Sequence, residues 1–222
     1  MDRIKETVAK VGELGVVLVV RAKGDENTMK GLEAMVNGGV KALEITFSVP
    51  NAPKVIRAVK ARFGDQVLLG AGTVLSAEQA RNAAEAGAAF LVAPNIDPQV
   101  MAAAKKLGVP MMPGAFTPSE VVSAWQQGAS VVKIFPASVG GPDYLKAIRA
   151  PLPHIPLMPT GGVDDKTAPE FIAAGAFALG AGSNLFNAKL LAAGDFKGLT
   201  EIAARFVAVV AEARKKLAAA KK

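Results

Sequence analysis

The sequence predicts an α/β fold, a (β/α)8 barrel with an extra N-terminal helix, formed by residues 1–222 as one domain. Three observations support this prediction. Short runs rich in β-branched residues alternate with alanine-rich helical stretches, a glycine precedes most of these runs, and no stretch has the composition of a linker. Strands that alternate with helices pair in parallel through right-handed crossovers. A doubly wound open sheet is the alternative.

The predicted elements follow this alternation along the chain. A first helix is predicted from Asp2 to Leu14 and a last helix from Leu199 to Leu217, where apolar residues recur at helical spacing. Six glycines before strands suit the left-handed position that ends a helix: Gly39, Gly64, Gly87, Gly108, Gly128 and Gly175. The eight predicted strands are residues 16–20, 42–46, 67–69, 90–93, 109–112, 131–135, 156–158 and 177–179.

The composition is that of a folded, soluble protein. Hydrophobic residues make up 51% of the chain and charged residues 20%, which excludes a disordered chain. The first long apolar run, Val16 to Val20, is too short for a membrane span and follows a charged segment, so we expect neither a signal peptide nor an anchor. A cytoplasmic location is therefore predicted.

The chain has no cysteine and one histidine, His154. Disulfides, thiolate chemistry and clusters of soft metal ligands are therefore excluded. His154 lies among prolines, which predicts a surface loop. Any chemistry must then depend on Lys, Glu, Asp or Thr, and we expect no metal and no cofactor.

The positive net charge favours a small anionic substrate. The net charge is +7, and several lysines and arginines lie in the last segment, as expected of a solvated helix end. With one Trp and one Tyr, the chain has no aromatic platform on which bases stack, so we expect no nucleic-acid partner.

Lys133 lies in the middle of the apolar run Val131 to Phe135. A short apolar run between Gly and Pro predicts a strand covered on both faces, so Lys133 is expected to be buried. Burial disfavours the ammonium form, and a neutral amine attacks a ketone carbonyl to form a Schiff base. The alternative is a lysine that extends to solvent or pairs with a carboxylate.

Polar residues also end the second and third predicted strands. Glu44 and Thr46 share one face of their strand, and a carboxylate that faces Lys133 would exchange protons with a substrate. A structural ion pair between Glu44 and Lys133 is the alternative. The third strand leads into Gly70-Ala71-Gly72-Thr73, where glycines allow close backbone approach and Thr73 offers a hydroxyl, a weak signal by itself.

Two glycine-rich turns follow the last two predicted strands. These are Thr160-Gly161-Gly162-Val163 and Gly180-Ala181-Gly182-Ser183. Backbone N–H groups at such turns bind anions, and the loops after strands seven and eight are where barrels of this type hold phosphate. We therefore predict a phosphate site there, with glycine-rich helix caps as the alternative.

Four of these segments together resemble one enzyme family. Leu43-Glu44-Ile45-Thr46, Gly70-Ala71-Gly72-Thr73-Val74, Val131 to Pro136 and Pro159-Thr160-Gly161-Gly162 are similar to the 2-keto-3-deoxy-6-phosphogluconate (KDPG) aldolases. Relatives of that family act on 4-hydroxy-2-oxoglutarate and on the phosphogalactonate epimer. The resemblance covers nearly the whole chain, in order.

The resemblance implies a role for each candidate residue. It implies a metal-independent class I aldolase in which Lys133 forms a Schiff base with pyruvate or the keto acid and Glu44 is the acid and base. It also implies that the protein is a homotrimer. The residues implied for substrate binding are Thr73 for the carboxylate, Pro94 and Phe135 for the pocket, and Thr160, Gly161, Gly162, Gly182 and Ser183 for the phosphate.

One position departs from the family pattern. Many members have an arginine two residues after the Thr of Glu-x-Thr, where it binds the substrate carboxylate, and this chain has Ser48 there. Some relatives instead have an arginine at the end of strand one, and this chain has Arg21. We therefore expect KDPG cleavage, with the galactonate epimer or 4-hydroxy-2-oxoglutarate as alternative substrates. A phosphate-binding barrel without lyase activity is a further alternative.

Overall fold

A computed structural model describes residues 2–220 and shows an α/β fold in which the strand pairs are parallel. The strands are β1 (Val16–Val20), β2 (Ala42–Thr46), β3 (Leu68–Gly72), β4 (Phe90–Val92), β5 (Met111–Met112), β6 (Gly114–Ala115), β7 (Val132–Ile134), β8 (Leu157–Pro159) and β9 (Leu179–Ala181). The helices are α1 (Asp2–Leu14), α2 (Glu26–Asn37), α3 (Ala52–Phe63), α4 (Ala77–Glu85), α5 (Pro98–Leu107), α6 (Pro118–Gln126), α7 (Gly141–Arg149), α8 (Ala168–Ala173), α9 (Ala188–Ala193) and α10 (Phe196–Ala219).

The strands form two sheets that meet at both ends. One has the order β5-β4-β3-β2-β1-β9 and the other β6-β7-β8. Only Pro113 separates β5 from β6, and a bridge between Thr160 and Gly180 connects the end of β8 to β9. The carboxyl ends of the strands therefore lie along one edge.

Two apolar layers hold the strands in place. Side chains on one face converge in a cluster of buried residues, which α1 joins through Val11. The opposite face packs against the other helices in a larger buried cluster. Burial of apolar surface on both faces explains why the strands read as continuous apolar runs. Within residues 2–220, no helix has the length and apolar character that a membrane span requires.

Arg214 connects the two end helices. Its guanidinium N–H groups donate to the carbonyls of Gly12 and Glu13 at the end of α1, over 2.7 and 3.0 Å, and to that of Phe177, over 2.8 Å. Burial lowers the pKa of Arg214 from its usual value. These bonds fasten α10 to α1 at the amino edge of the strands, opposite the edge where chemistry was predicted.

Both predicted end helices are present. The structure places α1 over the predicted range, and α10 extends the predicted last helix in both directions. Asp195 begins α10 three residues early because its carboxylate accepts a hydrogen bond from Gly198 N–H over 2.8 Å. The six glycines predicted to end helices all have positive φ angles, between 55° and 104°.

The fifth predicted strand was wrong in its bounds. Residues 109–112 were predicted, whereas β5 begins at Met111 and the chain pairs again as β6 after Pro113. Pro113 has no N–H to donate, so it interrupts the ladder. Its carbonyl still accepts from Lys133 N–H over 2.9 Å, which keeps the segment beside β7.

The third and eighth predicted strands, which are β3 and β9 in the structure, end later than predicted. Glycines that the sequence analysis assigned to turns belong to these strands. Gly70 and Gly72 belong to β3, and Gly180 belongs to β9. A Cβ added to Gly70 would collide with the Phe90 ring, and one added to Gly72 would collide with the carboxylate of Glu44. These two glycines are therefore strand residues whose missing side chains make room for their neighbours.

Candidate active site

Lys133 lies in β7 and is buried, as predicted, with 4% of its surface exposed. The strand pairs with β6 and β8, which place Lys133 beside Gly114 and Met158. Its Nζ lies 4.9 Å from the centre of the Phe135 ring. Burial lowers the pKa of Lys133, the charge of Arg21 lowers it further, and Glu44 opposes both. The site therefore favours the neutral, nucleophilic amine.

Glu44 lies in β2 and is 1% exposed. Among residues 2–220, neither carboxylate oxygen of Glu44 has a hydrogen-bond partner, so Glu44 is not hydrogen-bonded to Lys133. Burial raises the pKa of Glu44, and the charges of Lys133 and Arg21 oppose that rise. Burying a carboxylate that accepts no hydrogen bond lowers the stability of the fold, so such a group calls for a functional explanation. This arrangement suits a group that takes up and releases protons and does not fit a hydrogen-bonded structural ion pair.

Arg21 follows β1 and is solvent-exposed. Its positive charge acts on both Glu44 and Lys133, which places it at the same edge of the sheet. Thr46 is fully buried, and its hydroxyl lies 3.1 Å from the Val20 carbonyl and 2.7 Å from Ser48 Oγ. The ends of β1 and β2 are thereby held together, and Arg21 directly follows the end of β1.

A cavity of about 250 Å³ opens next to these residues. Seven of the predicted site residues line it: Arg21, Phe135, Thr160, Gly161, Gly162, Gly182 and Ser183. Lys133, Glu44, Thr73 and Pro94 do not line it, although Lys133 is connected to it through the Phe135 ring. The cavity therefore adjoins Lys133, and all five residues predicted for the phosphate end line it.

Six backbone N–H groups around this cavity are free. They belong to Gly161, Gly162 and Val163 after β8 and to Gly182, Ser183 and Asn184 after β9, and within residues 2–220 none donates a hydrogen bond. Unpaired N–H groups of residues that line a cavity are suited to binding anions. The geometry of the two turns thus suits a phosphate group.

Thr73 and Pro94 lie on the other side of the buried pair. Thr73 follows β3 with a φ of 55°, a left-handed conformation that is rare for a β-branched residue. Such strain persists only where its surroundings enforce it, and it is common at binding sites. A Cβ on Gly114, the strand partner of Lys133, would collide with the Pro94 carbonyl, so Pro94 lies close to the lysine.

Cavities of about 430 Å³ occur elsewhere on the surface. The charged residues that line them are exposed or half-buried, and none is a buried ionisable group like Lys133 or Glu44. In the part of the chain that the structure describes, no group of three or more His, Cys, Asp or Glu side chains is placed to hold a metal ion. His154 is exposed, as predicted. The smaller cavity is therefore the candidate site.

The sequence did not point to Ser138, Thr167 or Asn184. Ser138 and Asn184 line the cavity, and Thr167 donates a hydrogen bond from Oγ1 to the Gly162 carbonyl over 3.0 Å. These three residues belong to three loops, which follow β7, β8 and β9. The only local signal was the position of Asn184 directly after Gly182 and Ser183.

Known proteins are similar to this chain in sequence and in fold. Residues 7–202 match the family model described as KDPG and KHG aldolase. The chain is 36% identical to the 2-dehydro-3-deoxy-phosphogluconate aldolase of Treponema pallidum (strain Nichols), over 95% of this chain and 99% of that one. It is 35% identical to the 2-dehydro-3-deoxy-6-phosphogalactonate aldolase of Escherichia coli (strain K12), over 79% and 86% of the respective chains.

A solved structure similar to this chain contains a reaction intermediate. It is the KDPG aldolase from Legionella pneumophila with pyruvate captured at low pH as a covalent carbinolamine. The TM-score is 0.81 at 29% sequence identity, and the match covers 89% of this chain and 96% of that chain.

Proposed function

This chain belongs to the KDPG and KHG aldolase family, and from that premise we propose that it cleaves KDPG to pyruvate and glyceraldehyde 3-phosphate. One observation carries the proposal. A buried lysine and a buried carboxylate without hydrogen-bond partners lie beside a cavity that free backbone N–H groups surround. Such a lysine supplies an imine, and an imine serves as the electron sink of a class I aldolase.

The reaction then uses one nucleophile and one acid–base group. The neutral amine of Lys133 attacks the C2 ketone, and loss of water gives the protonated imine. Glu44 accepts the proton of the C4 hydroxyl as the C3–C4 bond breaks, and the bonding electrons move into the imine. Glyceraldehyde 3-phosphate leaves. The remaining enamine is protonated at C3 and hydrolysed, which releases pyruvate and restores Lys133.

The two turns would hold the phosphate end of the substrate. Thr160, Gly161 and Gly162 line one side of the cavity, and Gly182 and Ser183 line the other. A phosphate that accepts several N–H hydrogen bonds there is fixed while the keto-acid end reaches Lys133. Thr73 would bind the carboxylate, and Pro94 and Phe135 would shape the pocket around it.

A panel of three substrates tests this assignment. We expect kcat/KM for KDPG to exceed that for unphosphorylated 4-hydroxy-2-oxoglutarate by at least ~10²-fold, because two charge-assisted hydrogen bonds are worth roughly 3 kcal/mol or more. Equal values would show that the turns do not bind phosphate. The galactonate epimer is the second candidate substrate, since the Escherichia coli relative is named for it. A higher kcat/KM for the epimer would reassign the substrate and leave the chemistry unchanged.

Arg21 is proposed as the partner of the substrate carboxylate. Ser48 provides one neutral hydroxyl, whereas a bidentate guanidinium is a stronger partner for a carboxylate. The charge of Arg21 acts on both Glu44 and Lys133, so Arg21 is close to the reacting end of the substrate. We expect Arg21→Ala to raise KM for KDPG, and the dissociation constant for pyruvate, by one to three orders of magnitude, the order expected from ~1.5–3 kcal/mol or more. Steady-state kinetics and pyruvate titration measure this.

Two variants control the Arg21 experiment. Arg21→Lys should rescue little, because an ammonium lacks the planar fork of donors. Arg62→Ala removes an exposed arginine that pairs with Glu33 and should leave both values unchanged. If Arg21→Ala changes KM by less than about two-fold, a difference below ~0.5 kcal/mol, Thr73 and backbone amides must hold the carboxylate instead.

We propose that the two sheets close into one eight-stranded barrel, since Pro113 and the bridge between Thr160 and Gly180 join them at both ends. We also propose a single domain over residues 1–222 that forms a homotrimer and acts in the cytoplasm without a cofactor. Analytical ultracentrifugation measures the subunit number.

A further inference from the structure

Two side chains hold carbonyl groups of the loop after β8. Thr167 Oγ1 donates to the Gly162 carbonyl over 3.0 Å, and Asn184 Nδ2 donates to the Val163 carbonyl over 3.3 Å. Thr167 belongs to the same loop, whereas Asn184 belongs to the loop after β9, 21 residues further along the chain. The bond from Asn184 therefore ties together the two loops that carry the six free N–H groups.

The carbonyl groups of this loop need such a partner. Gly161 and Gly162 have φ angles of 93° and 74°, a region where glycine is nearly as stable as in its other conformations. A peptide unit beside them can rotate at low cost, and rotation exchanges an N–H group for a carbonyl oxygen. The partial negative charge of that oxygen repels a phosphate. The bond from Thr167 to the Gly162 carbonyl opposes this rotation and keeps the Val163 N–H available. The bond from Asn184 holds the next peptide unit, whose N–H, that of Asp164, donates to Thr167 Oγ1, and so fixes the loop relative to the loop after β9.

Asn184 differs from the other residues of the cavity in what it contributes. Its backbone N–H is one of the six free donors, while its side chain reaches across to Val163. Apart from that bond the residue is largely solvent-exposed, so its side chain adds little to the apolar core. The Asn184 side chain therefore contributes by fixing the distance between the N–H donors of the loop after β8 and those of the loop after β9.

We propose that Asn184 is a positioning residue that sets the spacing of the two loops and thereby the preference for a phosphorylated over an unphosphorylated keto acid. This inference rests on the proposed function, because it concerns the phosphate end of the same site. Asn184 acts through the Val163 carbonyl, and its side chain takes no part in the steps at Lys133 and Glu44.

Asn184→Ala tests the proposal through a split between kinetic parameters. Loss of one hydrogen bond should raise KM for KDPG about 3- to 10-fold, with kcat and the kcat/KM for 4-hydroxy-2-oxoglutarate changed less than two-fold. Asn184→Asp should raise KM further, because a carboxylate donates no hydrogen bond and repels the phosphate. Binding of inorganic phosphate, measured by calorimetry, should weaken by the same factor as KM rises.

Asn27→Ala is the matched control. Asn27 Nδ2 also donates to a backbone carbonyl, that of Leu191, over 2.7 Å, but it connects α2 to α9 and does not line the cavity. Its replacement should leave KM for KDPG and phosphate binding unchanged. The comparison shows whether an effect comes from losing the bond between Asn184 and Val163 or from losing any hydrogen bond that an asparagine side chain donates to a backbone carbonyl.

The outcomes distinguish the inference from the proposed function. If the wild-type protein cleaves KDPG and Asn184→Ala leaves its KM unchanged, or raises KM equally for both substrates, the inference is wrong and the function stands. If the wild-type protein does not cleave KDPG, the proposed function fails. Phosphate calorimetry then decides the inference alone: weaker binding to Asn184→Ala supports it, and equal binding overturns it.

Discussion

Lys133→Met is expected to abolish aldol cleavage while the melting temperature at pH 7 stays unchanged or rises. Methionine has a similar length and no amine, so no imine forms, and the rate should fall by at least ~10⁴. The folded state gains because a buried group that prefers water is replaced by an apolar one. Leaving Glu44 without its neighbouring cation offsets part of that gain. An aldolase assay and thermal unfolding measure the two effects.

The pH dependence of stability follows from the lowered pKa of Lys133. Between the folded pKa and the unfolded value of ~10.4, the unfolded chain binds more protons than the folded chain. Wild-type stability therefore rises with pH across this window, and the advantage of Lys133→Met shrinks toward its upper end. Lys197→Met, at an exposed position of α10, is the control and should change neither property. A clear fall in melting temperature at pH 7 would identify Lys133 as a structural residue.

Glu44→Gln should lower kcat by ~10²–10⁴, the usual contribution of a positioned acid–base group. Glutamine keeps the size of the side chain but cannot accept the C4 hydroxyl proton. Steady-state kinetics on KDPG measure this loss. Glu33→Gln removes an exposed carboxylate from α2 and should leave kcat unchanged. A fall of less than about ten-fold in Glu44→Gln would assign the proton transfer to another group.

The stability of Glu44→Gln should also respond to pH in a defined direction. Burial raises the pKa of Glu44, so between the unfolded value of ~4.3 and the folded pKa the folded chain binds more protons. Wild-type stability therefore falls as pH rises through this window. Glutamine does not titrate, so the variant should gain stability relative to wild type across the same window.

Much of the fold could be predicted because the local signals agree with the tertiary structure. The alternation of β-branched runs and helices located strand segments that all overlap observed strands, and glycines marked the helix ends. The errors are in the bounds of strands: β5 begins later than predicted, and β3 and β9 end later. Gly72 reads as a turn residue in sequence, but Glu44 occupies the space where its side chain would be. Which neighbour fills that space is not encoded locally.

The candidate site could be predicted where a charged residue lies within an apolar strand. Lys133 and Glu44 are charges in apolar strands, and that conflict is visible in sequence alone. Other features are products of the tertiary structure: the lack of a hydrogen-bond partner for the Glu44 carboxylate among the described residues, the left-handed conformation of Thr73 and the bond from Asn184 to Val163. No periodicity or motif encodes them.

The most direct test of the account is reduction of the protein with borohydride in the presence of pyruvate, followed by peptide mass spectrometry. Borohydride converts an imine into a stable secondary amine, so a Schiff base becomes a permanent adduct. We expect a reduced pyruvyl adduct on Lys133, absent from Lys133→Met and from wild-type protein treated without pyruvate. A wild-type protein that carries no adduct on Lys133 under these conditions would contradict the class I mechanism and favour a phosphate-binding protein without lyase activity.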